Sequence, residues 1–193
     1  AKFRANVEAI KTLNFIETDG RTATREEQEI LSRYVGWGAI PEAFDPEKAG
    51  WAAEHAELKA LLSEAEYNSA QASTLNAHYT SPTVIRAIYE AVEHMGFKAG
   101  NILEPACGTG NFFGCLPETM TASRLYGVEL DSLSARIARQ LYPKAHITAA
   151  GFETTDRRDF YDLAVGNVPF GQYQVNDPAY NKLGFSIHNY FLA

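Results

Sequence analysis

Two cysteines, two methionines and no long apolar run occur among the 193 residues of this chain. Cys107 and Cys115 have seven residues between them, and no two histidines have metal-ligand spacing, so neither a disulfide framework nor a zinc site is indicated. Two free thiols of a cytoplasmic protein are the simpler reading. The apolar stretches are short and broken by charge, well below the run of about 20 residues that a membrane helix needs. A secretory h-region is also lacking, although a chain that starts at Ala1 without Met reads as an excerpt of a longer parent. Basic residues are in deficit too: 17 Lys and Arg face 24 Asp and Glu, a net charge of -7. Residues 1–75 hold 8 basic against 13 acidic side chains and residues 76–193 hold 9 against 11, so neither part is a basic nucleic-acid module. Phosphate neutralisation supplies most non-specific affinity for DNA, so a chain of this kind acting on DNA would need its basic grip elsewhere in a longer parent. What the chain does have is 46% hydrophobic residues, enough for a real core in a soluble domain.

Residues 1–75 read as helices. Phe3, Val7 and Ile10 recur at helical spacing towards Ile16, and Asp19-Gly20 supplies a stop. Thr24 with Glu27 forms a capping box for a second helix, whose apolar face is expected to continue through Ile30, Leu31, Tyr34 and Val35 until Gly36 and Gly38. A third surrounds Trp51, Leu58, Leu61 and Leu62, and Ser63 with Glu66 starts a fourth. No chemistry is visible in this portion. Trp37 and Trp51 read as packing anchors because of the apolar area each can bury.

From Ser81 the pattern changes. Ser81 is a candidate N-cap with Pro82 in the first turn, and Val84, Ile85, Ile88, Tyr89, Val92 and Met95 make the expected buried face up to Gly96. Short strands are predicted at 101–104, 125–130, 146–149 and 162–166, with a helix through Ile137 and Leu141 between the second and third. Alternation of strand and helix at this spacing implies an α/β fold with a Rossmann-like, doubly wound, mostly parallel sheet behind an N-terminal helical extension. Neither internal repeats nor low-complexity linkers interrupt it.

Two segments carry chemistry. The run Ile102-Leu103-Glu104-Pro105-Ala106-Cys107-Gly108-Thr109-Gly110-Asn111-Phe112-Phe113 puts glycines where a strand turns towards a helix, so that backbone N–H groups can approach a ligand closely. Glu129, at the end of the next strand, stands where a ribose would be gripped. Together they imply an adenosine-containing ligand without saying which. The second segment, Val165-Gly166-Asn167-Val168-Pro169-Phe170-Gly171, follows the fourth strand directly. It offers a side-chain amide oxygen, a backbone carbonyl and an aromatic ring at the carboxyl edge of the sheet, a set suited to a planar amino group. A proline-punctuated turn with Phe170 in the core explains the same residues equally well.

In combination these residues resemble the N6-adenine DNA methyltransferases of the class whose cofactor motifs precede the target-recognition region. Ala77-His78-Tyr79-Thr80-Ser81-Pro82 looks like the amino-terminal cofactor motif, and the run from Leu103 through Glu104, Pro105, Ala106, Cys107 and Gly108 to Gly110 matches Leu-Glu-Pro-Ala-Cys-Gly-x-Gly. Tyr126-Gly127-Val128-Glu129-Leu130-Asp131 looks like the ribose-binding acidic motif, and Asn167-Val168-Pro169-Phe170 like the catalytic Asn-Pro-Pro-Phe/Tyr. The match runs from about residue 76 to 171, and Arg33-Tyr34-Val35-Gly36-Trp37-Gly38 further resembles large methyltransferase-helicase proteins of conjugative elements and phages. The resemblance implies S-adenosylmethionine as cofactor, held by His78, Tyr79, Thr80, Glu104, Pro105, Ala106, Cys107, Gly108, Gly110, Asn111, Phe112, Glu129, Leu130, Phe152 and Glu153. It implies catalysis by Asn167, Val168, Pro169 and Phe170 on an adenine flipped out of DNA, without a metal. It also implies a sheet of about seven strands, so residues 76–193 are expected to be a partial catalytic domain ending after the fourth strand, with 1–75 a separate extension. Two positions depart from the family: Val168 replaces the first proline, and Gly151-Phe152-Glu153 stands where the family has Asp-Phe, leaving Glu153 to supply the acid and Phe152 to pack on the cofactor's adenine.

Rival functions are a non-catalytic cofactor- or DNA-binding module, which Val168 and the acidic charge favour, a glutamine-amide methyltransferase, whose first motif lacks the Glu-Pro-Ala-Cys run, and an NAD(P) oxidoreductase, which leaves residues 167–170 unexplained.

Overall fold

The computed structural model describes residues 1–75, 79–155, 157–171 and 174–192. Helix α1 (Lys2–Thr18) buries Phe3, Val7, Ile10, Leu13 and Ile16, the face its spacing predicts. Both expected capping boxes form. Thr24 accepts the Glu27 N–H and Glu27 accepts the Thr24 N–H at the start of α2 (Arg25–Leu31). Ser63 and Glu66 do the same for α4 (Glu64–Ser73), after α3 (Ala52–Leu61). Trp37 is fully buried among Phe3, Tyr34 and Phe44, as an anchor should be, and Trp51 packs on the same core from its edge.

α2 is shorter than its periodicity predicts. It stops at Leu31; Tyr34 still reaches the core, but Val35 is exposed. The cause is Asn6, fully buried on α1, whose Oδ1 accepts the Val35 N–H at 2.9 Å while its Nδ2 donates to the Gly36 carbonyl at 2.6 Å. Backbone groups committed to α1 are not available to extend a helix. Gly36 turns there with φ 64°, a conformation that costs glycine little.

Four strands follow among the described residues: β1 (Asn101–Glu104), β2 (Arg124–Glu129), β3 (His146–Ala149) and β4 (Leu163–Ala164), all parallel, in the order β3-β2-β1-β4. β4 has a two-residue ladder rather than the five residues expected, although Asp162 N–H to the Asn101 carbonyl and Val165 N–H to the Leu103 carbonyl continue the pairing on either side. α5 (Pro82–His94) is capped by Ser81 and buries Ile85, Tyr89 and Val92 against Ile102, Phe112 and Val165. Val84 and Met95, expected on that face, are 50% and 77% exposed. Val84 lies about 100° around the helix from Ile85, and Met95 is the C-cap beyond the last contact. α6 (Asn111–Gly114) is one turn, and α8 (Ile187–Leu192) follows the last long loop.

α7 (Ser132–Leu141) joins the two regions. Ala135 and Ala138 pack with Ile147 and Cys107 beside the sheet, while Leu133 and Ile137 belong to the core of α1–α4. Arg136 pairs with Glu17 of α1 and Glu66 of α4, and Gln28 donates to the Gln140 carbonyl at 2.8 Å. The opposite sheet face, with Leu103, Tyr126 and Val128, is covered by Phe152, Phe160 and Tyr161 from the β3–β4 connection. Among the described residues no helix is long and apolar enough to cross a membrane.

Replacing Asn6 by alanine strands one backbone donor and one acceptor inside the core, so the Asn6→Ala chain should lose about 2–4 kcal/mol in urea denaturation. A loss below about 0.5 kcal/mol, the size of an ordinary surface substitution, would show that the clamp does not hold the loop.

Candidate active site

The chain leaves β1 towards β2 on one side and returns through β4 on the other, so the carboxyl end of β1 is a topological switch point where loops diverge and leave a crevice. The turn after β1 is tight: the Cys107 N–H donates to the Val128 carbonyl at 3.0 Å, and the Gly110 N–H to the Cys107 carbonyl at 2.8 Å. Gly108 has φ 53°, and a Cβ there would lie 3.2 Å from the Tyr79 ring. Glu129 stitches this turn to the next, its Oε2 accepting the Gly108 N–H and its Oε1 the Asp131 N–H, both at 2.7 Å. Asp131 then caps α7, accepting from the Ser134 N–H and hydroxyl.

A cavity of about 730 Å³ opens at this edge, and most of the sequence-predicted residues line it. Tyr79 and Thr80 come from the segment before α5, and Glu104, Pro105, Ala106, Cys107 and Gly108 from the turn after β1. Asn111 and Phe112 contribute from α6, Glu129 and Leu130 from the end of β2, and Phe152 and Glu153 from the segment after β3. Asn167, Val168, Pro169 and Phe170 complete the wall from the loop after β4, the Phe170 ring 57% exposed. Gly110 is not part of this wall. It caps α6 at φ 84°, and a Cβ there would fall 2.6 Å from Tyr142, so its place is set by packing. His78 lies outside the described residues.

Sequence reasoning missed several wall residues. Asp131 and Ser134 carried an N-cap signal, and Phe191 stood in an apolar aromatic run; Phe191 stacks on Phe152 with ring centroids 4.8 Å apart. Gly36, Ser69, Ala72 and Ser73 also line the cavity, from the portion in which no chemistry was visible.

The cavity is acidic. Glu104 is 3% exposed, and its Oε2 has no hydrogen-bond partner among the described residues. Burial, and then the charge of Glu129, hold its carboxyl well above the ordinary carboxylate range. Burial also raises Glu129, against the pull of the Asp131 and Gly108 N–H groups. The Cys107 thiol is pushed far up by burial and by the neighbouring acids, which makes it an inert packing group rather than a nucleophile. Glu129, Asp131 and Glu153 join Glu104 in the wall, which contains no lysine or arginine among the described residues. Such a site suits a ligand with a positive centre, hydroxyl donors and a planar ring.

A carboxyl whose pKa is raised by folding contributes stability that is present below its unfolded value and lost as pH rises through its folded value. The chain should therefore lose stability as pH rises above the ordinary carboxylate range. Glu104→Gln, which removes the ionisation, should flatten that slope in urea melts, and an unchanged slope would place the titration elsewhere.

No family model matches the chain. It is 30% identical over 172 residues to the defense against restriction protein B of Escherichia phage P1, an alignment covering 86% of this chain and 6% of that protein. It is 40% identical over 93 residues to the type II methyltransferase M.CvrRI of Paramecium bursaria Chlorella virus XZ-6E, covering 48% of this chain and 24% of the enzyme. To the type II methyltransferase M.TthHB8I of Thermus thermophilus it is 33% identical over 104 residues, covering 53% and 23%. A solved protein of Listeria monocytogenes, described as a class I S-adenosylmethionine-dependent methyltransferase, aligns at a TM-score of 0.45 with 18% identity over 98% of this chain and 68% of that one, too loose a likeness to add weight. The alignments thus span about a quarter or less of the curated relatives. By sequence the chain is thus similar, along about half of its own length, to two type II methyltransferases.

Proposed function

We propose that this chain forms the cofactor-binding and catalytic part of an S-adenosylmethionine-dependent methyltransferase acting on the N6 amino group of adenine in DNA. The observation that carries the proposal is that one cavity is lined at once by the glycine turn, by Glu129 and by the Asn167–Phe170 motif. The kinship with two type II methyltransferases supports the same reading.

The residues present fit the cofactor. Glu104, buried with an unpartnered oxygen, is matched by a positively charged group, whose arrival would return the carboxyl to its ionised form. Glu129 already accepts one backbone N–H on each oxygen, and the remaining lone pairs can take ribose hydroxyls. Gly108, without a Cβ, lets the turn lie close to a ligand, and Phe152 with its stacked partner Phe191 offers an aromatic wall to an adenine ring. When bound, S-adenosylmethionine supplies a methyl group on a sulfonium.

The task left to the protein is to make the adenine nitrogen nucleophilic, because its lone pair is delocalised into the ring. The Asn167 amide oxygen and the Val168 carbonyl would accept the two N6 hydrogens and favour a pyramidal nitrogen. Both stabilise the positive charge that develops there as the nitrogen–carbon bond forms. A preorganised polar group of this kind is worth about 3–4 kcal/mol. The largely exposed Phe170 ring would stack on the base once it has left the duplex. Val168 lacks the rigidity of the family's proline, which favours as a second reading a module that binds cofactor or DNA without turnover.

Incubating the full-length protein with methyl-labelled S-adenosylmethionine and duplex DNA, then digesting the DNA to nucleosides, decides between these. Label in N6-methyladenine is expected; label in another nucleoside would sink the adenine assignment, and none in DNA would favour the binding module. Asn167→Ala should lower turnover at least about a hundredfold with cofactor affinity nearly unchanged, because an interaction made mainly in the transition state leaves ground-state binding alone. Phe170→Ala should instead weaken DNA binding by about 1–3 kcal/mol. Equal loss of cofactor binding in both variants would mark residues 167–170 as a structural turn.

A further inference from the structure

We propose that the N-terminal helices supply a wall of the cofactor site itself: the face of α4 made by Ser69, Ala72 and Ser73, together with Gly36, closes over the ribose and methionine portion of the bound ligand. The inference rests on the S-adenosylmethionine reading and adds to it a site that residues 1–75 did not advertise.

Positions 69, 72 and 73 are spaced three and four residues apart and so share one stripe of α4. That stripe lines the cavity, while Ala70 is fully buried in the core of the helical layer and Tyr67 packs against it. The phase of the helix is set from three directions. The Ser63–Glu66 capping box fixes its start, Glu66 pairs with Arg136 of α7, and the Ser69 hydroxyl donates to Asp131 Oδ1 at 3.1 Å. Asp131 is two residues beyond Glu129, so the α4 stripe stands beside the position proposed for the ribose. Gly36 reaches the same cavity from the loop that Asn6 clamps by two hydrogen bonds.

The stripe is independently tied to a ligand by Glu104, which lines the same cavity and whose buried Oε2 has no hydrogen-bond partner among the described residues. A wall that shares the cavity with that acid has to leave space for a ligand, and glycine, alanine and serine do so. The Ser73 hydroxyl donates to the Ala70 carbonyl at 2.7 Å and keeps lone pairs for a ligand hydroxyl. Each residue acts by being small as much as by what it offers.

Hydrogen exchange of the unmodified chain, with and without S-adenosylhomocysteine, tests the wall without a substitution. Protection is expected in peptides covering 33–38 and 66–75 as well as in the turn after β1. Protection confined to residues 104–112 and 128–131 would overturn the inference. In calorimetric titration, Ala72→Leu, an exposed position on the stripe, should weaken S-adenosylhomocysteine binding at least about tenfold, because a leucine there overpacks the ligand's space. Gln71→Leu, exposed on the neighbouring stripe and absent from the wall, should leave it unchanged. Unaltered binding by a folded Ala72→Leu chain would refute the wall. If the unmodified chain binds neither S-adenosylmethionine nor its demethylated product, the cofactor reading fails first, and the wall with it.

Discussion

The placement of β1 between β2 and β4 governs the rest of the molecule. A strand with parallel partners on both sides is buried on both edges, and at its carboxyl end successive connections of the sheet leave in opposite directions. Three consequences meet there. The turn after Glu104 has to be tight enough to feed α6, and Gly108 and Gly110 supply the positive φ angles that allow it. Glu129, ending the adjacent strand, is brought within hydrogen-bond reach of the Gly108 N–H. The loop after β4 emerges beside the same turn, which places Asn167 across the crevice from residues more than fifty positions earlier.

The same burial explains the electrostatics. Glu104 occupies the last position of the central strand and is desolvated by the strands around it, and Glu129 is close enough to raise it further. Two unit charges about 4 Å apart interact by about 4 kcal/mol at an effective dielectric constant near 20, so an acidic cavity without a compensating cation is a costly arrangement. Stability is sacrificed at a site when the missing charge arrives with a ligand. In the function proposed above, the acids concentrated in the cavity would serve a cation and not the phosphates of DNA.

What could be read in advance follows from which signals are local. Capping boxes at Thr24 and Ser63 involve residues three apart, and both form as written. The strand positions were legible because short apolar runs alternate with helical periods, and with them the place of the glycine turn, Glu129 and Asn167–Phe170 at the carboxyl ends of strands. Long-range hydrogen bonds were not. Nothing near Tyr34 in sequence announces that Asn6 will capture Val35 and Gly36 and end α2 early. Gly110 shows a similar limit: a glycine needed for ligand approach and one needed to admit Tyr142 look alike until the tyrosine's position is known.

Residues 1–75 present the sharper case. Chemistry is recognised in a sequence by functional groups at characteristic spacing, and this portion contains none near the cavity. Its contribution is a helix face of Ser69, Ala72 and Ser73 whose side chains leave space, held by contacts that cross from α4 to α7. Small residues on an exposed stripe are indistinguishable from ordinary surface until something is shown to stand opposite them. Here that partner is Asp131, 62 positions away, at the end of the strand that carries Glu129. α7 is what makes the meeting possible, because one helix packs Ala135 and Ala138 beside the sheet and Leu133 and Ile137 against the helical layer.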